Sequence, residues 1–203
     1  MPAQLTHIAY AEAFLKVHPQ YEEAAFLRGT TFPDIRRLAD IAWARTHHYY
    51  VEVEDIEAES DSWTAGMMVH GYFDRQWNRY FANLKLPESS DMSHKLWSAV
   101  KIAQETKYCG SFERREELAR LFEQPAFPAE IEFEVPDEKL KQWYSYIAWK
   151  LRTPYSPEAR RGYAEEIGFD GDKMDRILER VEAIRIDSEW TERIKGLELE
   201  LGI

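Results

Sequence analysis

Five side chains in the first third of the chain are of types that bind transition-metal ions: His7, Asp34, His47, His70 and Asp74. The clearest pair is His70 and Asp74, because residues i and i+4 of a helix project from the same side about one turn apart. They share that side with Trp63, Met67, Phe73 and Trp77. An imidazole and a carboxylate on so apolar a face are costly to desolvate unless each is paired or metal-bound. Taken alone, the spacing reads more readily as a His–Asp hydrogen bond or a solvated face. It does not stand alone: His7 falls in the first turn of an expected helix, Asp34 follows a Phe-Pro turn, and His47 with His48 closes a third helix. Separate elements thus offer ligands to one bundle core. Of the adjacent pair only one can face the ion, since successive helical residues diverge by about 100°; His48 is the weaker candidate. Imidazole and carboxylate together favour Zn²⁺, with Fe²⁺, Mn²⁺ or Ni²⁺ admitted by ligand type. A carboxylate can bridge, so the set suits one or two ions, and an open position on either would mean catalysis.

The elements that must position these residues read as helices. Residues 5 to 18, with Thr6 as a cap, form the first, and residues 21 to 28, stopped by Gly29, form the second. A third is expected from Ile35 to His48, with Asp34 where the preceding loop opens it. The acidic stretch from Glu52 to Asp61 reads as a connection, with a lid as the lesser alternative, and leads into a long helix from Trp63 to Asn83 capped by Asp61 or Ser62. Further helices are expected at about 91–107, 112–123, 137–151, 157–167, 171–185 and 188–200. The alternating run Ile131 to Val135 is too short to found a sheet. The fold class is therefore all-α, a multi-helix bundle with metal ligands converging from several helices. A soft boundary near Pro125 to Pro136 separates a metal-binding part, 1–125, from a C-terminal helical part, 126–203, that packs on it; the whole also reads as one domain.

Composition narrows the partners. The formal charge of −11 opposes general binding to long nucleic acid or to an anionic membrane surface. Against that background Arg28, Arg36, Arg37 and Arg45 gather beside the candidate ligands, and arginine suits bidentate phosphate binding. Ion pairs with Glu22, Glu23 or Asp40 are the competing reading. Tyr10, Tyr72 and Trp77 could line a pocket, although aromatics at helical spacing more often form core. Cys109 is the single cysteine, which excludes an internal disulfide and paired-cysteine zinc motifs. Neither a secretory signal nor an apolar run of spanning length is visible, so the expectation is a cytoplasmic protein without a membrane span.

The segments Thr6-His7-Ile8-Ala9, Phe26-Leu27-Arg28-Gly29 with Phe32-Pro33-Asp34-Ile35-Arg36, Arg45-Thr46-His47-His48, and Gly66-x-x-x-His70-x-x-x-Asp74-x-x-Trp77 resemble the zinc-dependent phospholipase C family. More distantly they are similar to the fungal single-strand-specific nucleases that share its all-helical fold. The resemblance covers about residues 5 to 80. It implies that Asp34, His47, His70 and Asp74 hold one zinc, that His7 and a bridging Asp74 reach a neighbouring ion, and that Asp34 also serves as general base. The implied chemistry is hydrolysis of a small phosphoester or phospholipid-like substrate by a metal-activated water; Arg28, Arg36 and Arg45, from their placement beside the ligands, are the expected substrate contacts. After Asp74 the chain offers only His94, so the family's third ion is not expected. Two other readings compete: an HD-type phosphohydrolase, whose adjacent His-Asp pair is missing here, and a non-enzymatic helical interaction protein pinned by a structural metal.

Overall fold

A computed structural model of the chain describes residues 3–83, 90–153, 156–158, 161 and 171–201. The fold is all-α, with no strand among the described residues. Helix α1 spans Gln4–Val17, α2 Glu23–Thr31, α3 Arg36–Ala39, α4 Trp43–Thr46, α5 Val53–Ala58 and α6 Ser62–Asn83. Beyond them lie α7 (Ser90–Ser111), α8 (Arg115–Phe122), α9 (Pro128–Ile131), α10 (Asp137–Arg152), α11 (Gly171–Ile186) and α12 (Ser188–Leu201). The helix expected over 157–167 falls largely outside the described residues.

The long helix α6 is the axis of the molecule. Asp61 caps it, accepting from the amide of Thr64 at 2.8 Å. Its expected stripe of Trp63, Met67, His70, Phe73, Asp74, Trp77 and Phe81 is buried along its whole length. One apolar cluster gathers Leu5 and Ile8 of α1, Phe26 and Leu27 of α2, Met67 and Phe73 of α6, and Leu140, Ile147 and Leu151 of α10, so it runs through residues on both sides of position 125. A second cluster joins the far end of α6, at Trp77 and Phe81, to α7, α11 and α12 through Val100, Ile177, Val181 and Leu197.

Two glycines make the closest helix crossing among the described residues. A Cβ on Gly29 would stand 2.1 Å from the carbonyl oxygen of Trp63, and one on Gly66 would stand 2.2 Å from that of Phe26. No side chain fits either gap, so α2 and α6 touch backbone to backbone. This corrects the expected stop at Gly29: the glycine lies inside α2, which runs on to Thr31, and serves close approach instead of termination. Thr6 likewise lies within α1, whose N-cap is Ala3.

The continuous third helix does not form. Phe32–Ile35 is a 3-10 turn, α3 follows for one turn, and Asp40 ends it in the left-handed region at φ 54°. Aspartate tolerates that conformation better than most residues. The chain then restarts as α4 and leaves helical geometry at His47, φ −110°. The acidic segment is more than a connection, because α5 within it buries Ile56. The run from Ile131 to Val135 forms no strand.

Candidate metal centre

The five candidate ligands come from four elements. His7 lies in the first turn of α1, Asp34 in the 3-10 turn, His47 just beyond α4, and His70 and Asp74 one turn apart on α6. The crossing of α2 over α6 sets the first of these relations. It brings the carbonyl of Thr30 within 2.8 Å of His70 Nδ1. A carbonyl can only accept, so Nδ1 carries the proton and Nε2 is the atom turned toward Asp74. A third glycine positions His47: a Cβ on Gly71 would stand 2.4 Å from the carbonyl oxygen of His48, so the segment after α4 is seated on α6. Arg75 holds the next stretch, donating to the Val51 carbonyl at 2.8 Å. The orientation of the His47 ring also follows from its surroundings. The Thr46 hydroxyl lies 3.3 Å from the Trp43 carbonyl and 2.9 Å from His47 Nδ1, so Nδ1 is engaged by the chain and Nε2 is the atom turned toward Asp74.

The ring nitrogens converge on one carboxylate. His7 Nε2 lies 3.4 Å from Asp74 Oδ1; His70 Nε2 and His47 Nε2 lie 3.5 and 3.8 Å from Asp74 Oδ2. The rings of His7 and His70 stack at 4.0 Å, and His47 meets His70 edge-on at 4.9 Å. His7, His70 and Asp74 are fully buried, and His47 nearly so. These contacts are too long for good hydrogen bonds. Both oxygens of Asp74 and the Nε2 atoms of His7, His47 and His70 have no hydrogen-bond partner. Ligand atoms about 2.0–2.1 Å from a shared tetrahedral ion stand about 3.3–3.4 Å apart, which is the spacing that two of the three contacts approach. Two groups, His7–His70–Asp74 and Asp34–His47–His70, could each hold an ion, their ligand atoms lying within 4.8 Å of one another. They share His70, whose single free nitrogen can serve only one ion at a time.

Burial and mutual proximity set the protonation states. Burial, and then the neighbouring His70, push the imidazole of His7 down to about 4 and that of His47 to about 4. Burial alone would lower His70 as well, but the Asp74 carboxylate outweighs it and the net shift is upward. Burial would raise Asp74; the surrounding imidazoles overcome that and hold its carboxyl below the usual carboxylate range. The set therefore offers two neutral imidazoles and an ionised carboxylate, with Asp74 favouring the protonated form of the third imidazole, His70.

The arginines divide. Arg28 turns away from the ligands: its Nε and Nη2 donate to Glu130 at 2.8 and 2.6 Å, and Nη1 donates to the carbonyls of Gln124 and Pro125. With Tyr144 donating to the same carboxylate at 2.7 Å, this buried group is satisfied. A phosphate contact from Arg28, which the sequence suggested, would require that network to open. A cavity of about 430 Å³ beside Arg28 is lined by Phe122, Leu140 and Tyr144 and by none of the candidate ligands. Arg45 is exposed, 5.7 Å from the Phe133 ring. Arg36 is the one that bears on the site: its charge acts on His47, and its buried Nε has no hydrogen-bond partner. Asp34 and Arg36, both half-buried, form the accessible edge of the cluster. His48 is exposed, and His18 lies 3.7 Å from Glu57. Tyr10 is core, bonded to Gln104. The side chains of Arg37 and His94 lie outside the described residues.

Sequence reasoning missed two contributors, Gln4 and Lys150. Gln4 Nε2 donates to Asp34 Oδ2 at 3.1 Å, and Lys150 donates to Gln4 Oε1 at 3.0 Å. A signal for Lys150 existed: positions 143, 147, 150 and 151 share one helical face, and the other three are Trp, Ile and Leu. No described helix is long and apolar enough to cross a membrane. Comparison with family models, with curated proteins and with solved structures gives no match.

Proposed function

We propose that this chain is a metal-dependent phosphoester hydrolase, with zinc the favoured ion. The observation that carries the reading is the group of buried, unpartnered atoms of His7, His47, His70 and Asp74 converging at 3.4 to 3.8 Å. Leaving so many buried polar atoms without partners costs about 1–3 kcal/mol for each, a penalty that ligation removes. Asp34, His47, His70 and Asp74 would hold one ion, and His7 with Asp74 a second. Such an ion supplies a water of lowered pKa and neutralises charge on the phosphoryl oxygens.

The chain's own residues supply the rest. Asp34 stands at the accessible edge, where a carboxylate can take the proton of the attacking water as its oxygen bonds to phosphorus. The ester P–O bond breaks, and that proton passes to the leaving alkoxide. Arg36, with an unpartnered Nε near His47, would anchor the phosphoryl group. The charge of −11 favours a small or phospholipid-like ester over a long polyanion. The family-like order of the segments around His7, Asp34, His47 and His70 supports the same chemistry.

Metal analysis of the purified protein, followed by assays on chromogenic phosphomonoesters and diesters with added Zn²⁺ or Mn²⁺, tests the reading. Stoichiometric metal is expected, lost together with turnover in His70→Ala and Asp74→Ala, whereas Arg36→Ala should chiefly raise KM. Protein that neither contains nor takes up metal would refute it. Firmly held metal without turnover of any ester would replace it with a structural role.

A further inference from the structure

A chain of hydrogen bonds runs from the candidate site to a buried ion pair between α7 and α10. Gln4 Nε2 donates to Asp34 Oδ2 at 3.1 Å, and Lys150 Nζ donates to Gln4 Oε1 at 3.0 Å. Lys150 also donates to Glu105 Oε1, which accepts in turn from the amide of Leu5 at 3.1 Å. Lys150 and Glu105 are 3% and 1% exposed, so both charges have left water completely. A buried pair of this kind is often no more stabilising than apolar residues of the same size, so stability alone does not account for it.

The polarity of the chain is fixed at its buried end. An ammonium has donors only. The Gln4 side chain must therefore turn Oε1 toward Lys150, and its amide nitrogen then faces Asp34. Without the ammonium the two flips of that amide differ little in shape, and one of them would set a carbonyl oxygen against the Asp34 carboxylate. We infer that Lys150, acting through Gln4, is a positioning residue that locks the orientation of Asp34 at the metal centre. One carboxylate oxygen is held by the amide while the other remains for an ion. Glu105 balances the charge of Lys150 and ties the arrangement to the first turn of α1, which also carries His7. The inference rests on the metal-centre reading above.

The experiment measures Zn²⁺ affinity by competition with a chromophoric chelator, and unfolding of the metal-free protein by denaturant. Gln4→Met keeps the side-chain length and removes both hydrogen bonds. It should weaken binding about 10- to 100-fold, as loss of an outer-shell partner does, while the metal-free unfolding midpoint falls only by what one hydrogen bond from Lys150, which keeps Glu105, is worth. Gln4→Glu can still accept from Lys150 but sets a like charge against Asp34, and should bind at least as weakly. The double variant Glu105→Gln/Lys150→Met removes both buried charges together and keeps an acceptor for the Leu5 amide. Its loss of affinity should not add to that of Gln4→Met, because both break one chain. Gln4→Met binding Zn²⁺ as tightly as wild type overturns the inference, as does an additive loss; should the double variant not fold, Gln4→Met decides alone. Wild type that binds no Zn²⁺ would instead sink the metal-centre reading itself.

Discussion

Two buried charged clusters lie on either side of α2, and they are built on opposite principles. Around Arg28, both oxygens of Glu130 accept hydrogen bonds, and two backbone carbonyls take the remaining guanidinium nitrogen. Around Asp74, neither carboxylate oxygen has a partner although three imidazoles surround it. Burial is equal in the two places, so burial does not distinguish them. Satisfaction does: a closed hydrogen-bond network holds helices together, whereas convergent atoms with no partner could hold an ion. Consecutive residues of α2 serve both, since Arg28 faces Glu130 while Gly29 and the Thr30 carbonyl face α6.

Glu130→Ala should break the comparison most severely, if it is wrong. Leaving Arg28 buried and unpaired should cost about 3–5 kcal/mol in denaturant unfolding, with metal affinity in the folded fraction unchanged. A variant as stable as wild type would mean that the closed network is not structural.

Acid should act on the other cluster. Unfolded imidazoles take up protons near pH 6.5, whereas folded His7 and His47 resist until about 4. The unfolded state therefore binds more protons between these values, and stability falls as pH drops through that window. The loss is on the order of 3 kcal/mol for each of the two imidazoles. His70, shifted upward, acts in the opposite sense above about 6.5, so the net fall begins below that point. Thermal unfolding of metal-free protein from pH 7 to 4 measures it; a flat profile that His7→Phe leaves unaltered would show that the imidazoles are not held neutral.

Gly66→Ala should have the smallest effect and sharpen the link between the two regions. The added methyl meets the Phe26 carbonyl and forces α2 away from α6, a strain of about 1–3 kcal/mol. Because the same crossing delivers the Thr30 carbonyl to His70, metal binding should weaken with stability. Loss of stability alone would separate the crossing from the site.

The parts of the site written in short-range periodicity were legible from sequence. His70 and Asp74 sit on α6 where a helical repeat of apolar residues places them, and the all-α class follows from the same repeat. Gly29 was legible as a special position but not as the right one, because a glycine that ends a helix and one that lets two helices touch look alike in one dimension. Asp40 broke the third helix through a left-handed turn that its apolar pattern did not announce. The partners of Arg28 and Gln4 were invisible, since Glu130 and Lys150 lie 102 and 146 residues away along the chain. Only the packed core brings them near.

Trp43 stacks on His47 with ring centres 5.0 Å apart and is 39% exposed. The protein thereby carries its own optical reporter. An indole lying against an imidazole is sensitive to the charge that ring carries, so on the metal-centre proposal its emission should change when Zn²⁺ is added and should not change in His47→Ala. Trp63 and Trp143, buried in the apolar core, supply the steady background against which such a signal is read.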